Sequence, residues 1–138
     1  MDIPDYMLPT YQLNDVASLQ YENITREAYT LVIDDSKDRL EYLGMKFMNP
    51  TEFLLKFTDS YLLEAENRKI SDVKEFSNNG NLIAQAELSW TQEGNDFFMI
   101  ISVIETKTHF YKLLSWSLLE NRDQQYDDFI KISKSLKD

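Results

Sequence analysis

The chain of 138 residues has no cysteine. Disulfides, thiolate metal sites and cysteine nucleophiles are therefore excluded, while the compartment stays open, because cytosol and periplasm both tolerate cysteine-free proteins. Histidine occurs once, at His109. A zinc site takes three or four protein ligands, so one histidine and no cysteine cannot build the usual one. The only glycines are Gly44, Gly80 and Gly94, too few and too scattered for a phosphate-cradling loop. The serines of the second half, Ser89, Ser115 and Ser117, lack a G-x-S-x-G elbow. No apolar run approaches the roughly 20 residues of a membrane-spanning helix, and no signal-peptide pattern is visible.

Positive charge is also scarce. Fourteen Lys and Arg stand against 24 Asp and Glu, for a net charge of −10. An acidic chain repels phosphate backbones and anionic lipid surfaces, so nucleic acid and membrane are not expected partners. Residues 1–67 hold 13 acids and 5 bases, and residues 68–138 hold 11 acids and 9 bases. Met1 is followed directly by the polar stretch DIPDY. The expected location is the periplasm or outer surface after removal of a leader, and the cytoplasm if Met1 is the native start.

What the chain does have is apolar and aromatic. Hydrophobic residues make up 43% and aromatics 13%, enough for one domain over residues 1–138 with a sheet-rich core. Residues 1–10 carry Pro4 and Pro9 and read as an irregular lead-in. VASLQYEN alternates, with Ala17, Leu19 and Tyr21 expected inward and Ser18, Gln20 and Glu22 outward. REAYTLVID follows, and a link through Asn23 to Arg26 predicts a hairpin. From Ser36, a cap, Leu40, Leu43 and Phe47 take helical spacing. After Asn49-Pro50, Phe53, Leu54, Phe57, Tyr61 and Ala65 predict a longer helix over 51–69, capped by Thr51 or entered through Pro50.

The second half reads as strands. ISDVKEFS leads to a turn at Asn79-Gly80, and NLIAQAELSWTQ alternates up to a second turn at Glu93-Gly94-Asn95. DFFMIISVIETK is apolar on both faces, the mark of a covered central strand, and HFYKLLSWSLLE follows. The last element is a helix with Tyr126, Phe129, Ile130 and Leu136 expected inward. Its acids lie early and its lysines late, as the helix dipole favours, and Asn121 with Gln124 predicts a capping box. The pattern is an α+β fold, a single mainly antiparallel β-sheet sandwiched by helices.

The strand FYKLLSWSLLE, the break NRDQQ and the helix YDDFIKISKSLK together resemble the close of the PsbP-like family, whose fold is shared with the Mog-type Ran-binding proteins. The family's closing pattern falls on Tyr126, Phe129, Ile130 or Ile132, Ser135 and Lys137. The opening LNDVASLQYEN and AYTLVID are similar to small PsbP-like proteins of Bacteroidetes-type bacteria, commonly exported or lipid-anchored. The resemblance implies a PsbP-like α/β/α sandwich and an envelope location. PsbP is an extrinsic photosystem subunit and Mog-type proteins bind a small GTPase. No functional motif of either matches here, so neither activity carries over.

Candidate site residues follow from the chemistry-bearing side chains. His109 is a possible general base at a strand start, with a partly exposed strand-end role as the plainer reading. With Trp116 and Glu120 it defines one possible pocket, and Trp90 is a second aromatic candidate for a pocket or interface. Core packing is the default for both tryptophans. Asp34, Asp35, Asp38 and Glu41 form a possible acidic docking surface for a basic partner. The same cluster lacks the glycine and distal glutamate of an EF-hand loop, so Ca²⁺ is not expected. Taken together, these residues point to a non-catalytic protein-binding or assembly module with an unidentified protein partner. No cofactor, metal or catalytic residue is assigned, and the oligomeric state is left open. The alternatives are a carrier of a small apolar ligand and an enzyme of unrecognised type at His109, Trp116 and Glu120.

Overall fold

The computed structural model describes residues 1–14 and 16–136. Two strands, β1 (Leu8–Pro9) and β2 (Leu19–Asn23), precede β3 (Ala28–Ser36), α1 (Lys37–Tyr42) and α2 (Pro50–Thr58). Then come β4 (Glu66–Ile70), β5 (Lys74–Asn78), β6 (Asn81–Gln92), β7 (Asn95–Glu105) and β8 (His109–Leu118), a 3-10 turn at Leu119–Asn121, and α3 (Arg122–Lys134). All strands join one antiparallel sheet in the order β1-β2-β3-β8-β7-β6-β4, with β5 also paired to β6.

The expected α+β sandwich is observed. On one face Leu31, Leu88, Met99, Ile101 and Leu114 pack with Phe53 and Leu54 of α2. On the other, Val32, Phe98, Ile100 and Leu113 pack with Phe129 and Ile132 of α3. The two expected turns join β5 to β6 and β6 to β7. Asn79 and Gly80, and Glu93 and Gly94, all have positive φ, the backbone of a type I′ hairpin turn. The N-terminal hairpin does not stand apart: β3 pairs along β8, and the hydroxyls of Thr30 and Ser115 meet at 2.7 Å in the buried sheet.

Several boundaries differ from expectation. The helix predicted over 51–69 stops at Thr58. Its cap is Asn49, whose Oδ1 accepts from the Glu52 amide at 2.8 Å, and Pro50 takes the first position. Arg68 donates to the carbonyls of Thr58 and Tyr61, satisfying groups that a longer helix would have bonded itself. Tyr61 still stacks on Phe57 at 4.6 Å, so the apolar stripe packs without being helical. The predicted strand over 70–77 is two strands broken at 71–73, which lie end to end along β6. The first helix is shorter than its apolar spacing suggests and ends at Tyr42, before Gly44 with φ +80°. The lead-in contributes the two-residue edge strand β1, where Pro9 is tolerated.

Inward faces are corrected at two places. On β2, Leu19, expected inward, is exposed, and Gln20, expected outward, is buried because its side chain accepts from the amides of Leu13 and Asn14 and donates to the Asn14 carbonyl. On α3 the buried residues are Gln125, Phe129, Ile132 and Ser133, while Ile130 and Tyr126 are half-buried at the margin. The capping box is absent: the Asn121 side chain donates to the Arg26 carbonyl instead. Lys137 lies outside the described residues.

Candidate functional site

Antiparallel strands gather their connections at two ends, and the two ends are chemically unlike. One end is formed by segments 22–27, 59–66, 91–96 and 118–123, around the starts of β3 and β7 and the ends of β6 and β8. These four segments hold nine acids, Glu22, Glu27, Asp59, Glu64, Glu66, Glu93, Asp96, Glu120 and Asp123, and two bases, Arg26 and Arg122. Arg122 is already committed to Glu87, with Nε–Oε2 at 2.7 Å. Nine acids against two bases give this end a net −7 of the chain's −10.

Apolar side chains stand among these acids. Ile24 is 69% exposed and Leu63 60%. A depression of about 540 Å³ lies between the turn after α2 and the end of β6, lined by Ser60, Leu62, Leu63, Glu64, Thr91 and Gln92. Leu62 adopts φ +52°, a left-handed conformation that costs a leucine about 1–2 kcal/mol. A second depression of about 230 Å³ shares Thr91 and includes Trp90, Asp96, Phe97 and Leu119. Trp90 is buried and stacks on Phe97 at 5.4 Å, so it is chiefly a core residue that presents one edge to this surface.

The opposite end is formed by segments 34–48, 79–82 and 105–112. These hold five acids, Asp34, Asp35, Asp38, Glu41 and Glu105, and five bases, Lys37, Arg39, Lys46, Lys107 and Lys112. Lys37 pairs with Glu105 at 2.7 Å and Lys112 with Asp35 at 3.5 Å. Exposed on this end are Tyr42, Leu43, Met45, Met48 and Leu82. A depression of about 150 Å³ is lined by Leu40, Met45, Phe47 and Phe110, with Lys37, Glu41 and Lys46 beside it. Phe53 packs against both of its lining phenylalanines, edge-on to Phe47 at 4.8 Å and stacked on Phe110 at 5.0 Å.

The residues expected from sequence are distributed over both ends. His109 sits at the start of β8, its Nδ1 2.8 Å from the Thr108 hydroxyl and its ring stacked on Tyr111 at 5.5 Å. Trp116 lies seven residues on along the same strand. At about 3.3 Å per residue that is roughly 23 Å, and an odd separation puts the two side chains on opposite faces. Trp116 stacks on Tyr29 at 5.3 Å in the α2 layer. Glu120 lies farther still, in the 3-10 turn at the acidic end. The structure thus does not bring His109, Trp116 and Glu120 together. Asp34, Asp38 and Glu41 are exposed as expected, whereas Asp35 is drawn toward Lys112, whose ammonium lies over the Phe57 ring at 5.0 Å. Among the described residues no group of three or more His, Asp and Glu is placed to hold a metal, and no helix is long and apolar enough to cross a membrane. The acidic end has no counterpart in sequence reasoning, because no one of its four segments is an acid run by itself.

No family model and no curated protein matches the sequence. Solved structures match the fold. LpqN of Mycobacterium tuberculosis, involved in cell envelope biogenesis, superposes with a TM-score of 0.67 at 11% identity, over 99% of this chain and 79% of that one. A Pseudomonas aeruginosa protein of unknown function gives 0.63 at 9% identity, over 100% and 85%. Cyanobacterial PsbP (CyanoP) of Synechocystis gives 0.60 at 8% identity, over 96% and 81%. At these identities the likeness concerns the fold: this chain has the PsbP-like α/β/α sandwich.

Proposed function

We propose that this chain is a non-catalytic protein-docking module of the bacterial cell envelope, and that its partner is a basic protein surface with an apolar anchor. The observation that carries the reading is the nine-to-two excess of acids at one end, set around exposed Ile24, Leu63 and Leu119. Like charges held together by a rigid sheet create a field that steers an oppositely charged partner, and apolar side chains among them supply the contact area. The fold likeness to LpqN, itself involved in cell envelope biogenesis, supports the envelope setting. The spread of His109, Trp116 and Glu120 along β8 and beyond it weighs against an active site built from them.

A photo-crosslinking residue in place of Leu63, in cells that make the protein, tests this reading. It should trap a discrete protein adduct that weakens with rising salt and is lost in the Glu64→Lys, Glu93→Lys variant. An adduct indifferent to those charges would overturn the electrostatic basis, and fractionation of the native protein with the cytosol would overturn the envelope setting. A second reading, a carrier of a small apolar ligand, is favoured by the depression at Leu40, Met45, Phe47 and Phe110. Its volume suits about one benzene-sized ring rather than a drug-sized molecule. A rise in melting temperature with benzene would support it.

A further inference from the structure

We propose that the charge-balanced end is a self-association surface, and that its occupant is a second copy of this chain in a twofold dimer. Three observations converge on it. The end of α1 and the segment after it expose four large apolar side chains within seven residues: Tyr42 at 89%, Leu43 at 56%, Met45 at 39% and Met48 at 77%. Leu82, at the start of β6, adds a fifth. Met48 and Leu82 line one depression, and exposed apolar side chains clustered at one end in this way mark an interaction site rather than ordinary surface.

The same end carries both a plug and a hole. The depression walled by Leu40, Met45, Phe47 and Phe110 has a volume of about 150 Å³, room for roughly one ring or branched side chain. Tyr42, the most exposed apolar side chain of the segment, stands one residue from Glu41 beside that hole. A twofold interface requires one patch to supply both halves of each contact, and this patch has both.

Charge then selects the occupant. With Lys37–Glu105 and Asp35–Lys112 paired internally, Asp34, Asp38 and Glu41 face outward against Arg39, Lys46 and Lys107, three of each sign. Among the described residues these six have no ion-pair partner within the chain. A mixed set of this kind is complementary to itself. It offers no net attraction to a strongly basic or acidic partner, and none to an anionic membrane. Elsewhere two copies at −10 each repel. A dimer through this end keeps the acidic ends apart, because the twelve residues of β6 alone span about 40 Å, several times the screening length of about 8 Å at physiological salt. The acidic ends then point outward as two equivalent docking surfaces, although the dimer stands whether or not those surfaces have a partner.

Sedimentation equilibrium of the full chain tests this, over a concentration series into the millimolar range. The wild type should dimerise, and Tyr42→Asp and Met48→Asp should each raise the dimer dissociation constant at least about tenfold with the melting temperature of the monomer unchanged. Two charge variants make the test specific. One carries Asp34→Lys, Asp38→Lys and Glu41→Lys; the other carries Arg39→Glu, Lys46→Glu and Lys107→Glu. Each alone should be monomeric, and their equimolar mixture should form a heterodimer. A wild type that stays monomeric, a mixture that does not pair, or binding of the monomer to phospholipid vesicles lost in Met48→Asp would overturn the proposal.

Discussion

The guanidinium of Arg122, at the start of α3, forks onto the carboxylate of Glu87 on β6, with Nε–Oε2 at 2.7 Å and Nη2–Oε1 at 2.8 Å. Further along the helix, Gln85 donates to the Ser133 hydroxyl at 3.0 Å. Gln85 and Glu87, polar residues alternating along β6, thus receive the helix. Arg122→Lys keeps the charge but loses the fork, so it should cost about 1 kcal/mol of stability in urea unfolding. The pair is partly exposed, which keeps the expected loss small.

The register of α3 separates two isoleucines, Ile130, which the helical periodicity places inward, and Ile132, which the PsbP-like resemblance allows in its stead. Ile132→Ala should destabilise by about 3 kcal/mol and Phe129→Ala by about 3–5 kcal/mol, since both side chains are fully buried. Ile130→Ala, at the half-buried margin, should cost about 1 kcal/mol or less. Equal losses at Ile130 and Ile132 would mean that the helix is rotated from the position described.

The β6–β7 turn places Glu93 at φ +52° ahead of Gly94 at φ +78°. Asparagine tolerates that backbone better than glutamate. Glu93→Asn should therefore raise stability by about 0.5 kcal/mol, read as a higher denaturation midpoint with an unchanged denaturant slope.

Tyr6 clamps the N-terminal segment to α3. Its hydroxyl lies 2.6 Å from Gln125 Oε1 and 2.6 Å from Asp128 Oδ2, and the Arg26 guanidinium lies over its ring at 3.9 Å. Desolvation, followed by the hydrogen bond to Asp128, pushes its ionisation well above the ordinary tyrosine value of 10.0. A raised value in the fold means that its contribution is fully present below pH 10 and is lost as the pH climbs past it. Wild-type stability should fall more steeply than that of Tyr6→Phe above pH 10. At neutral pH the variant should be less stable by about 1 kcal/mol. Parallel curves would show that the fold does not raise the ionisation of Tyr6.

Local patterns were readable wherever one residue's neighbours in sequence were also its neighbours in space. The turns at Asn79-Gly80 and Glu93-Gly94, the apolar central strand β7 and the Ser36 cap of α1 are of this kind. The end of α2 was not, because Thr58 and Tyr61 spend their carbonyls on Arg68, which must fold back to reach them. Nor was the burial of Gln20, which depends on a loop six residues upstream curling onto its amide.

For function the division is sharper. Composition alone excluded thiol chemistry, the usual zinc sites and phosphate loops, because those need residues that the chain does not have, and a net charge of −10 disfavours nucleic acid in any fold. Where that charge sits was decided only by tertiary structure. Antiparallel pairing delivers nine acids from four separate segments to one end and leaves Asp34, Asp35 and Asp38 at the other, with Lys37, Arg39, Lys46 and Lys112. Side-chain chemistry belongs to the residue, but convergence belongs to strand direction and register, which are set by pairings between residues far apart in the chain.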